Sequence, residues 1–94
     1  MGIIKQPPEE QNIFISKYGF ETTRDGYERC FRCGPLYFLW VTIGYDRNWV
    51  KYTIDRSYGG EHKSTVSSIP SHYTDEDIVN MVDEDATHIV ESLS

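Results

Sequence analysis

The longest apolar stretch of the chain runs from Leu36 to Tyr45 and is interrupted only by Thr42 and Gly44. A run that short, rich in aromatic and β-branched residues, predicts a strand. Because it is apolar at odd and even positions alike, it predicts a central strand covered on both sides. Asp46-Arg47-Asn48 then reads as a short loop. Beyond it, Val50, Tyr52 and Ile54 alternate with Trp49, Lys51, Thr53 and Asp55, which predicts a strand with one apolar face.

Upstream, Asp25-Gly26 is a dipeptide that readily supplies the positive φ angles of a tight hairpin. A two-residue loop there predicts Arg24 opposite Tyr27, Thr22 opposite Arg29, and Phe20 opposite Phe31 as an aromatic cross-strand pair. Gly34-Pro35 ends the second strand of that hairpin, since proline cannot donate to a ladder. After the loop Tyr58 to Lys63, the residues Thr65, Val66 and Ile69 predict a fifth, peripheral strand before Pro70.

The two ends of the chain carry a helical period. After Pro7-Pro8, the acidic Glu9 and Glu10, the four-residue spacing of Phe14 and Tyr18, and Gly19 as a left-handed cap predict a short helix over about 8–18. The alternation of Ile13 and Ile15 with polar neighbours makes a strand over 12–18 the competing reading. Near the other end, Thr74-Asp75-Glu76-Asp77 supplies an N-cap hydroxyl, an acidic first turn and a capping box with Asp in the place of Glu. A long helix over about 75–92 follows. At 100° per residue it gathers Ile78, Met81, Val82, Ala86, Ile89, Val90 and Leu93 on one arc, with Glu76, Asp83, Glu84 and Glu91 opposite. Asp85 falls inside the apolar arc. Its presence predicts either a helix break near Asp83 or an encounter with a cation such as Arg29 or Arg32, and the break is the favoured of the two.

These elements make a single α+β domain over residues 1–94, with 1–6 as a flexible arm or an edge strand. The expected architecture is an antiparallel meander sheet of four to five strands, a short N-terminal helix, and a long acidic C-terminal helix packed on one face. Leu, Ile, Val and Phe supply 22 of the 94 residues, so the core is thin, and seven Tyr and two Trp must help fill it. Ten apolar residues are too few for a membrane span and no signal peptide opens the chain, so a cytoplasmic location is the expectation.

Charge sharpens the picture further. The formal net charge is -6, and no Lys or Arg follows Lys63, so the imbalance lies wholly in the last third. Such a domain is ill suited to phosphate backbones and to anionic membranes, but it can dock on a protein partner with a basic surface. The aromatic side chains Tyr45 and Trp49 join Glu76, Asp83, Glu84 and Glu91 as the expected partner-binding residues, because exposed aromatics dominate interface energetics. A sheet with one face uncovered also offers a surface for self-association, as in a homodimer.

Cys30-Phe31-Arg32-Cys33-Gly34 resembles the knuckle that gives half of a tetrahedral zinc site, with Cys30 and Cys33 as the metal ligands. Completing the shell would take His62, His72 or His88. Two Cα atoms three apart on an extended chain are about 10 Å apart, too far for a disulfide. Gly59-Gly60-Glu61-His62-Lys63-Ser64-Thr65 ends like a phosphate-binding loop but lacks the glycine before its lysine. No catalytic motif is present, so no catalytic residue is assigned and the expected function is non-enzymatic, with no cofactor. A zinc-binding domain is the alternative, and a small-ligand site on the open sheet face or the Gly59-Gly60 loop comes third.

The design as a whole, a short helix ending in Tyr18-Gly19-Phe20, tyrosine-rich strands with a Gly59-Gly60 loop and an acidic terminal helix, resembles small accessory proteins of bacteriophages and mobile elements. The resemblance implies a protein that binds and inhibits a host macromolecule.

Overall fold

A computed structural model describes residues 12–56, 59 and 63–93. The elements are α1 (Ile13–Ser16), β1 (Glu21–Thr22), β2 (Gly26–Cys33), β3 (Tyr37–Gly44), β4 (Trp49–Arg56), β5 (Lys63–Ser68) and α2 (Asp75–Leu93). The five strands form one antiparallel sheet in sequence order, a meander with β3 at its centre. The α+β architecture expected from the sequence is the one observed. The arm over 1–6, the first residues of the expected N-terminal helix, and Tyr58, Gly60 and His62 lie outside the described residues.

Asn12 is extended, with φ -90° and ψ 118°, and its side-chain oxygen accepts the Phe14 N–H at 2.9 Å. It therefore caps a helix that begins at Ile13, inside the span expected for the N-terminal helix, where the competing reading had a strand. Gly19 does end this turn with φ 76°, and the Phe20 N–H reaches back to the Phe14 carbonyl at 2.7 Å.

The first hairpin turns one residue earlier than Asp25-Gly26 predicts. Glu21 faces Glu28 and Thr22 faces Tyr27, leaving Arg24 and Asp25 as the central residues. The Thr23 hydroxyl oxygen accepts the backbone N–H of both Asp25 and Gly26, while its own N–H donates to the Gly26 carbonyl. Gly26 has no positive φ; it is glycine because a Cβ there would lie 2.1 Å from the Ile43 carbonyl oxygen. Phe20 consequently packs edge-on against Phe14, with ring centroids 5.8 Å apart, instead of pairing with Phe31.

Among the described residues, helices cover strand β3 on one side, against the expectation of cover on two, although Thr42 and Gly44 on the other side are also buried. Leu39, Val41 and Ile43 are fully buried beneath the helices with Val50, Phe14, Ile78, Val79 and Val82, and Tyr52 joins them. On the other side, Phe38 is half-buried and Trp40 is exposed.

The N-terminus of α2 is capped as its sequence predicts: the Asp77 N–H donates to the Thr74 hydroxyl oxygen at 3.2 Å, and the Thr74 N–H to the Asp77 carboxylate at 3.0 Å. Asp75 ties this end to the β3–β4 turn through Arg47, at 2.6 Å. Val90 and Leu93, at the far end, line a hollow with Cys33, Pro35 and Tyr37 of the β2–β3 turn. The helix thus runs antiparallel to β3 above it, and its 19 residues, about 28 Å, match the eight-residue strand, about 26 Å. It does not break near Asp83. Asp85 meets no arginine; its carboxylate accepts a 2.6 Å hydrogen bond from the Tyr52 hydroxyl.

Candidate functional site

Helix α2 sorts its carboxylates by direction. Its inner stripe must face the apolar side chains of the sheet, where an uncompensated carboxylate is costly. The two acidic residues turned towards that side are both engaged, Asp75 by Arg47 and Asp85 by Tyr52. Burial, and then the hydrogen bond to Asp85, push the Tyr52 phenol above its usual range. Arg47 is held in place on every side: its Nη1 donates to the Tyr45 carbonyl, its backbone takes φ 60°, and its guanidinium lies over the rings of Phe14 and Tyr27.

The outer stripe carries Glu76, Asp83, Glu84 and Glu91, all exposed, interleaved with the exposed Asn80 and Thr87. Because no cation occurs after Lys63, none of these carboxylates has a Lys or Arg one turn away on the helix. From Glu76 to Glu91 the stripe is about 22 Å long. Asp83 and Glu91 border a shallow hollow whose floor is Phe31, Ala86 and Val90. Glu84 borders another with His72, Tyr73 and Asp77. The four residues expected to form an acidic surface therefore do share one face.

The two expected aromatic contacts lie elsewhere. Tyr45 is 42% exposed, but its hydroxyl donates to the Thr23 carbonyl and its ring meets Tyr27 edge-on at 5.0 Å, so it braces the first hairpin. Trp49 is half-buried and lies over Gly44, where a Cβ would come within 2.3 Å of its indole nitrogen. The exposed tryptophan is Trp40, in the middle of the open sheet face, with Cys30 and Thr53 beside it on the neighbouring strands. Its even position in a strand apolar on both sides concealed it.

Cys30 and Cys33 are not brought together. They project to opposite faces of β2: Cys30 is exposed on the open face, while Cys33 is buried in the core with its thiol towards the Phe31 carbonyl. Partial desolvation, with Cys33, Glu28 and Asp55 nearby, raises the Cys30 thiol above its usual range, and desolvation likewise raises Cys33. Neither favours the thiolate a metal needs. His72 and His88 are exposed, and among the described residues no group of three or more His, Cys, Asp or Glu is placed to hold an ion. Gly59 has φ 80° and borders a hollow with Leu36, Tyr37 and Arg56, the place where the small-ligand reading would have to be realised.

Among the described residues every buried side-chain nitrogen and oxygen has a hydrogen-bond partner, and no helix is long and apolar enough to cross a membrane. No protein-family model, curated protein or solved structure matches the chain.

Proposed function

We propose that the protein is a non-enzymatic binding module that docks the outer face of α2 on a basic surface of a protein partner. In that role it acts as a small acidic inhibitor or accessory factor. The observation that carries the reading is the sorting of carboxylates on α2. Asp75 and Asp85 face the sheet, and Glu76, Asp83, Glu84 and Glu91 stand together on the exposed face of a helix that bears no Lys or Arg. A continuous acidic stripe on a rigid helix steers a positively charged partner and fixes its register, and repels nucleic acid and anionic membranes. A basic groove that normally holds a phosphate backbone has the complementary potential.

The test is capture from nuclease-treated native lysate at low and raised salt, comparing the wild-type protein with a variant carrying Glu76→Lys, Asp83→Lys, Glu84→Lys and Glu91→Lys. All four side chains are exposed, so the variant keeps its fold. The expected result is one stoichiometric protein retained by the wild type, released as salt shortens the screening length, and absent from the variant. A partner held equally by both would refute the docking surface.

A further inference from the structure

We infer that the edge of the sheet formed by β5 is a self-pairing surface, on which a second copy of this chain adds its own β5 antiparallel across a twofold axis at Val66. All six residues of β5 are exposed, and Val66 is 61% exposed. Among the described residues, the exposure of both faces of β5 shows that the helices do not cover this strand. Edge strands are usually blunted by charges, bulges or proline. Here the strand Lys63-Ser64-Thr65-Val66-Ser67-Ser68 has a single charge at one end, and Pro70 comes only after it has finished.

The register follows from the ladder already present. The Ile69 N–H donates to the Asn48 carbonyl at 2.9 Å, in the same alignment that sets Trp49 against Ser68 and Val50 against Ser67. Ile69 and, by alternation, Ser67, Thr65 and Lys63 therefore turn their backbone groups towards β4. Ser64, Val66 and Ser68 turn theirs outward. An odd set of three, evenly spaced, is self-complementary under a twofold axis. Val66 pairs with Val66 of the second copy, Ser64 with its Ser68, and Ser68 with its Ser64, each pair exchanging two backbone hydrogen bonds. The alternative antiparallel alignments, shifted by one residue, would oppose outward-facing groups to inward-facing ones.

Charge selects the same occupant. The chain carries -6, yet residues 63–73 contain no carboxylate, so of the two edges of the sheet this is the one where two copies meet without opposing strand carboxylates, β1 carrying Glu21. In the twofold register each Lys63 lies at the outer end of the pair, opposite Ile69 of the second copy. From Ile69 the chain turns directly into the acidic start of α2, Asp75-Glu76-Asp77. The two lysines stand about 20 Å apart, at opposite ends of the pair, and so do not repel each other across the axis. Strand pairing of this extent buries little side-chain surface, so the dimer has a dissociation constant on the order of micromolar.

The experiment is sedimentation velocity of the full chain from about 1 to 300 µM, a span that brackets that affinity. The expected result is a monomer–dimer equilibrium. Val66→Pro deletes an N–H that points away from β4, leaving the internal ladder intact, and should raise the dissociation constant at least tenfold with an unchanged circular dichroism spectrum. Val66→Lys, which sets two ammonium groups on the axis, should do the same without altering the backbone. Register is read by single cysteines introduced in a Cys30→Ser background, where the remaining Cys33 is buried. Val66→Cys places Cα atoms about 5.5 Å apart and should form a disulfide dimer on mild oxidation, whereas Ser68→Cys places them about 14 Å apart and should not. A monomer at every concentration, a dimer indifferent to both Val66 variants, or equal cross-linking at 66 and 68 would overturn the inference. The four-carboxylate variant of α2 should dimerise like the wild type, which separates failure of this surface from failure of the acidic one.

Discussion

Replacing Tyr52 by Phe removes one oxygen atom from the structure and leaves every ring contact in place. That oxygen sits on a side chain only 6% exposed and donates to Asp85 at 2.6 Å. Hydrogen bonds to an ionised acceptor contribute about 1.5–3 kcal/mol, and Asp85 is half-buried, so water recovers part of its solvation when the hydroxyl is gone. The expected loss is therefore about 1.5–2 kcal/mol, which lowers the Tm of a domain this size by roughly 6–16 °C. A cycle with Asp85→Ala should return a coupling of similar size, because the two groups act through one bond. The pair also leaves a signature at alkaline pH. Burial and the Asp85 carboxylate raise the Tyr52 pKa in the folded state above the ordinary value of 10.0. A raised pKa stabilises fully below the unfolded value and is lost as pH rises beyond it. Wild-type stability should thus fall with an additional slope of about 1.4 kcal/mol per pH unit above about pH 10, and Tyr52→Phe should lack that increment. Urea titrations at pH 7, 9, 10 and 11 measure both quantities. Equal alkaline slopes in the two proteins, or a loss at pH 7 under about 0.5 kcal/mol, would refute the account of Asp85 as the carboxylate held by this phenol.

Two glycines separate backbone from side-chain crowding. Gly26→Ala drives a methyl group to 2.1 Å from the Ile43 carbonyl oxygen in the neighbouring strand and should cost at least about 3 kcal/mol or prevent folding. Gly44→Ala meets first the movable indole of Trp49 and should cost less, as denaturant midpoints will show. For the thiols, alkylation at neutral pH should label Cys30 slowly and leave Cys33 untouched until the protein is unfolded, with no internal disulfide on oxidation. Rapid labelling of both by mass spectrometry would contradict their placement on opposite faces of β2.

Strand β4 was legible because it obeys the period of two, β3 because it is one continuous apolar run, and α2 because its capping box and apolar arc coincide in one segment. What the sequence withheld depends on contacts between distant residues. Asp85 reads as a break in a helix only while its partner is unknown, and that partner is a hydroxyl 33 residues away. Asp25-Gly26 carries a strong local turn signal. The glycine, however, answers to the carbonyl of Ile43 across the sheet, and Thr23 supplies the turn's hydrogen bonds instead. That one-residue shift of the turn moves the partner of every β1 residue by two positions and removes the Phe20–Phe31 pair. Trp40 was hidden for a related reason: a strand apolar on both sides reads as doubly covered, and only the single layer of helix reveals which side stays open. The acidic stripe needed no distant partner. Outward carboxylates are defined by the helix period alone, and so this part of the candidate site could be read residue by residue.

The proposed acidic face and the proposed edge pairing constrain each other. A twofold axis that joins two β5 strands in one sheet stands perpendicular to that sheet, so both α2 helices lie on the same side. Each lies above its own β3, two strands in from β5, which separates the helices by about 24 Å at the strand spacing of roughly 4.8 Å. Two acidic stripes, each about 22 Å long, then face one way at a fixed distance. A partner with a single basic patch gains nothing from this arrangement, whereas a partner with two patches at that spacing, or a dimeric one, binds the second stripe as an intramolecular step. Weak self-pairing would be reinforced by such a partner, because binding and dimerisation are linked. Val66→Pro should then weaken capture of a bivalent partner while leaving each stripe intact, and capture of a monovalent partner should depend on the carboxylates of α2 alone.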